Sequence, residues 1–116
     1  MGGVVEEFRE KFLDLARRGM DSLPEARSWS KVYQFVVDGE EFYVVISNGE
    51  VTVEEGRHPS PIATLTLSRD TLAKILSGEL DAMKAFLSRE LTITGNVFDT
   101  MNLKRLIDAG LGSQRA

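Results

Sequence analysis

The chain has 116 residues, 42% of them hydrophobic and 28% charged, with a net charge of -4. That length suits one domain able to bury roughly two-thirds of its unfolded surface, and the acidic excess argues against general binding to a nucleic-acid backbone. The absence of cysteine excludes a disulfide framework, a thiolate nucleophile and cysteine-ligated zinc, which makes the cytoplasm the default expectation.

The first residues, Met1 to Phe8, read MGGVVEEF and place acids where a secretory signal needs a long apolar run. No window approaches the roughly 18 consecutive apolar residues of a spanning helix, so membrane contact is expected to be peripheral at most. Val5, Phe8, Phe12, Leu15 and Ala16 recur at helical spacing, which predicts an amphipathic helix over 4–18 ended by Gly19. The run from Ser22 to Ser30 carries Pro24 and the single Trp29, and reads as a loop whose tryptophan packs back onto the core.

Lys31 to Val37 and Glu41 to Ser47 are β-branched and aromatic runs separated by Asp38-Gly39-Glu40, a hairpin signal. Asn48-Gly49 supplies a second turn before Val51-Thr52-Val53, completing a three-strand antiparallel meander. Ala63, Leu65 and Leu67 alternate with Thr64 and Thr66, so a fourth strand shows three apolar side chains on one face. Ser68 is positioned to cap a helix through Leu72, Ile75 and Leu76 to Gly78, and Leu80, Met83, Phe86 and Leu87 form a second apolar stripe. Leu91 to Thr94 alternates as a fifth strand, expected either in the sheet interior beside the first strand or elsewhere. Asn96 then caps a last helix carrying Val97, Met101, Leu106 and Ile107. Gly112 to Ala116 reads as a tail that lacks a Ser-Lys-Leu type of address.

The residues offer little chemistry. His58 lies in a loop with no second imidazole, Ser60 and Ser77 fall outside G-x-S-x-G, and the Glu40-Glu41 and Glu54-Glu55 pairs flank turns as solvated strand ends. The glycines follow no phosphate-cradle spacing, so no cofactor or metal is expected. An enzyme is therefore disfavoured. What stands out is soft apolar material between Leu72 and Ile107, including Met83, Phe86, Phe98 and Met101. Such stripes form solid core in most proteins and pocket wall in some, and composition leaves both open.

The stretch from Ile62 to Met101 resembles the sterol carrier protein 2 (SCP-2) sterol-transfer domain family. The shared features, in order, are the threonine-alternating strand, a helix ending Leu76-Ser77-Gly78-Glu79-Leu80, an Ala85-Phe86 helix, Leu91-Thr92-Ile93-Thr94-Gly95-Asn96, and Met101 five positions beyond that asparagine. With the upstream Tyr43 to Gly49 hairpin, the resemblance covers about residues 31 to 107. It implies an α+β fold with a five-stranded, mainly antiparallel sheet covered by helices, enclosing an apolar tunnel for fatty acid, acyl-CoA, sterol or isoprenoid without a catalytic group.

Carried onto this chain, the resemblance implies that Phe35, Val37, Tyr43, Val45, Leu65 and Ile93 face the tunnel from the sheet. Leu76, Leu80, Met83, Phe86 and Leu87 wall it from the middle helices, and Val97, Met101 and Leu106 line a last helix that acts as a gate. Lys104 and Arg105 stand where many members carry a glutamine near the ligand, so a polar head group is expected to be held differently here or not at all. The rival expectation is an interaction or scaffold module, for example in isoprenoid-quinone synthesis. In that case the first helix docks a partner or a second copy of the chain.

Overall fold

A computed structural model describes residues 3–114. Its order is α1 (Val4–Ser22), a 3-10 turn (Pro24–Ser28), β1 (Ser30–Val37), β2 (Glu40–Ser47), β3 (Glu50–Glu55), β4 (Ala63–Leu67), α2 (Arg69–Ser77), α3 (Ala82–Leu87), β5 (Leu91–Gly95) and α4 (Val97–Gln114). The five strands form one mixed sheet in the order β3-β2-β1-β4-β5, antiparallel except for the β1-β4 pair. This is the expected α+β architecture with one parallel pair added.

The fifth strand takes an edge beside β4, and it is β4 that lies beside β1. The chain reaches that place through the segment 56–62, which crosses the sheet face away from the helices. Gln34, fully buried on β1, holds the crossing down. Its Nε2 donates to the carbonyls of Gly56 at 2.9 Å and Phe42 at 3.0 Å, and its Oε1 accepts from the His58 amide at 2.8 Å. The His58 ring meets Tyr43 edge-on at 5.2 Å.

Two expectations at helix ends are corrected. Gly19 does not end α1, which continues to Ser22; a Cβ there would stand 2.3 Å from the carbonyl oxygen of Leu106 on α4. Gly110 of α4 meets the Leu15 carbonyl in the same way, at 2.2 Å. Both glycines serve close approach of two helix backbones. The run Ser22 to Ser30 is also more ordered than a loop, since it contains the 3-10 turn, and Trp29 packs against the core as expected. At the other end α4 runs through Gly112 to Gln114 where a tail was expected; Arg115 and Ala116 lie outside the described residues.

The core lies between the helices and the sheet face carrying Tyr33, Phe35, Val37, Phe42, Val44 and Ile46. At its centre Phe12 of α1 contacts Phe35 and Phe42 edge-on at 5.2 and 5.9 Å, while Phe35 and Phe42 stack at 5.1 Å. These geometries add to the burial of three large rings.

Candidate functional site: an apolar cavity beside the last helix

The helices between β4 and β5 are short and firmly capped. Ser68 Oγ accepts the Thr71 amide at 3.0 Å to start α2, and Gly78 ends it in the left-handed conformation. Asp81 Oδ2 accepts the amides of Met83 at 2.9 Å and Lys84 at 3.2 Å to start α3. Asn96 Oδ1 accepts the Asp99 amide at 2.8 Å to start α4.

These elements arch over β1, β4 and β5 and leave a cavity of about 410 Å³. That volume is within the range of about 300–1,000 Å³ usual for small-molecule sites. Phe35, Leu65, Leu67, Leu91 and Ile93 form the floor. Phe12, Leu72, Ile75, Leu76, Leu80, Met83 and Phe86 form one wall, and α4 supplies Val97, Thr100, Met101, Leu103, Ile107 and Leu111. Val97 and Met101 also reach the surface, each 37% exposed.

The charged lining residues are Asp81, Lys104 and Asp108. Lys104 Nζ lies 3.0 Å from Asp81 Oδ1 and 2.6 Å from Asp108 Oδ2. The hydrogen bond from Lys104 holds the Asp81 carboxyl below its usual range, and the bond to Asp108 raises the Lys104 ammonium above its own. At the start of the same helix, Asp99 accepts from Tyr33 Oη at 2.6 Å and from Lys31 Nζ at 2.9 Å. Burial opposes the Asp99 charge, but these two donors outweigh it and lower its pKa. Burial chiefly, and then Asp99, push the Tyr33 phenol upward.

Of the residues expected to face a tunnel, Phe35, Leu65, Leu76, Leu80, Met83, Phe86, Ile93, Val97 and Met101 line this cavity. Five do not. Tyr43 and Val45 lie on the opposite sheet face, because Phe35 pairs directly with Phe42 and so places Phe42, Val44 and Ile46 inward. Val37 is buried away from the cavity, and Leu106 is buried against Gly19 of α1. Leu87 is 72% exposed at the end of α3. Phe12, Leu67, Leu72, Ile75, Leu91, Leu103, Ile107 and Leu111 were missing from the expected lining, as were Asp81, Thr100 and Asp108. For α4 the signal lay in helical spacing: Val97, Thr100, Met101, Lys104 and Asp108 fall on one stripe.

The profile of the SCP-2 sterol transfer family matches residues 10–108. Among solved structures, the sterol carrier protein domain 2 of Helicoverpa armigera is similar at 28% identity and TM-score 0.67, covering 94% of this chain and 89% of that one. The UbiJ-SCP2 ubiquinone synthesis protein aligns at 23% identity and TM-score 0.70, over 84% and 88% of the two chains. Apo sterol carrier protein 2 from Yarrowia lipolytica aligns at 20% identity and TM-score 0.65, over 91% and 90%. No curated protein matches. With its mixed five-stranded sheet, its helical cover and a profile match spanning most of its length, the chain belongs to the SCP-2 sterol transfer family.

Proposed function

We propose that the protein is a non-catalytic carrier that holds the apolar chain of a lipid-like molecule in the cavity beside α4. The observation that carries this reading is the cavity itself: about 410 Å³ walled almost wholly by aliphatic, methionine and phenylalanine side chains. The contacts proposed are Phe35, Leu65, Leu76, Leu80, Met83, Phe86, Ile93, Val97 and Met101. Burying a 16-carbon chain gains on the order of 13 kcal/mol at about 0.8 kcal/mol per methylene. Association and ordering cost roughly 4–15 kcal/mol. The small surplus suits uptake and release. Native mass spectrometry of the purified protein is expected to show co-purifying lipid, and a pyrene-labelled long-chain alcohol is expected to bind. An empty protein that also ignores the probe would sink the reading.

A second reading is favoured by the likeness to the UbiJ-SCP2 ubiquinone synthesis protein: the chain serves as a scaffold module accessory to isoprenoid-quinone synthesis. In that role a complex with a synthesis enzyme should survive size exclusion, whether or not the cavity is filled.

A further inference from the structure

The cavity is apolar along most of its wall, and its charged groups gather where the start of α3 faces the middle of α4. Lys104 alone would be a natural partner for a fatty carboxylate. Its ammonium is already engaged, by Asp81 at 3.0 Å and by Asp108 at 2.6 Å. Lys104 is also the more sheltered of the three, with a side chain 22% exposed against 39% and 52% for the two aspartates. Two carboxylates against one ammonium leave this end of the cavity with a formal charge of -1.

An incoming carboxylate or phosphate would have to displace one aspartate from Lys104 or lie beside uncompensated negative charge. A hydroxyl meets neither obstacle. An ammonium has three donors, of which two are used here, so the third is left for a hydroxyl oxygen. The hydroxyl proton in turn has aspartate oxygens to donate to.

Resting on the carrier reading above, we propose that the Asp81-Lys104-Asp108 triad selects lipids with an uncharged, hydrogen-bond-donating head group, that is, long-chain alcohols over fatty acids and phosphorylated lipids. The apolar chain gives affinity for any lipid, and the triad decides among head groups.

The test is competition at neutral pH between hexadecan-1-ol and palmitate for the full chain loaded with a pyrene-labelled long-chain alcohol. The alcohol is expected to displace the probe at roughly tenfold lower concentration, the discrimination that about 1.4 kcal/mol provides. In an Asp81→Asn, Asp108→Asn double variant Lys104 is released, and the ratio should move toward palmitate by roughly tenfold. Asparagine still caps α3, so that helix is retained; should the variant not fold, the wild-type ratio decides alone. A Lys104→Met variant should weaken palmitate further. Equal potency, preference for palmitate, or a ratio unmoved by the double variant overturns the selection while leaving the carrier standing. Failure of the alcohol probe to bind a protein that co-purifies with lipid overturns the selection alone; failure in a protein that is also empty of lipid removes both.

Discussion

The buried phenol of Tyr33 donates a 2.6 Å hydrogen bond to Asp99, and Lys31 meets the same carboxylate at 2.9 Å. The three residues tie β1 to the first turn of α4, the helix that forms one cavity wall. Asp99→Ala leaves a buried phenol and a largely sheltered ammonium without their shared acceptor. Stability should fall by about 1.5–3 kcal/mol, the usual worth of a hydrogen bond to a charged group, as read by urea denaturation.

The same carboxylate sets a pH dependence. Its folded pKa is lowered, so its contribution is fully present above the unfolded value of about 3.9 and is lost as pH falls through the folded value. The urea midpoint should therefore drop on acidification below about pH 4, and less steeply in Asp99→Asn. Tyr33 has the opposite profile. Its folded pKa is raised, so stability is present below about pH 10 and is lost as pH rises beyond it, a loss that Tyr33→Phe should blunt.

Alanine at Gly19 or Gly110 sets two effects against each other. Helix propensity favours alanine by about 1 kcal/mol. Against it, the new Cβ would stand 2.3 Å or 2.2 Å from a backbone oxygen of the partner helix, which cannot rotate away. Overpacking of this kind costs about 1–3 kcal/mol. A lower melting temperature is expected for both variants, and an unchanged or higher one would contradict the tight α1-α4 contact.

Phe86→Ala and Met101→Ala remove side chains from the cavity wall, the first partly buried and the second exposed. They should weaken the pyrene-labelled alcohol while costing less stability than the roughly 2–5 kcal/mol of a solid-core truncation. Leu106→Ala is the contrast. Fully buried but away from the cavity, it should lose that larger amount and bind the probe with little change.

Gln34→Leu removes the side-chain partner of the Gly56 and Phe42 carbonyls and of the His58 amide. A loss of at least about 2 kcal/mol is expected, with faster hydrogen exchange at His58.

Most elements were legible because their periodicity and caps agree: Ser68, Asn96 and the Thr64-Thr66 alternation each place an element correctly. The face of β2 was not, for a physical reason. Phe42 to Ile46 is apolar on both parities, so only the hairpin can decide which side faces inward. Reading Asp38-Gly39-Glu40 as the turn sets Phe35 opposite Tyr43. The turn is in fact Asp38-Gly39, both at positive φ, which sets Val37 opposite Glu40 and Phe35 opposite Phe42. One residue of slip exchanges the faces of the whole strand. The parallel β1-β4 pairing was hidden similarly. Such pairs need a crossover of a dozen residues or more, and here strands β2 and β3 with the segment 56–62 together supply it, the last part held by Gln34, whose burial on the far sheet face no periodicity signals.

Phe12 and Phe35 each present one side to the cavity and another to Phe42, which does not line it. The rings thus form a bulkhead between a hollow half of the molecule and a solid one. A smaller residue at either position would lengthen the hollow at the expense of the packing that secures α1 to the sheet. Cavity length and resistance to unfolding therefore trade against each other at this pair. Substitutions at Met83, Phe86 or Met101 reshape the hollow without touching that partition.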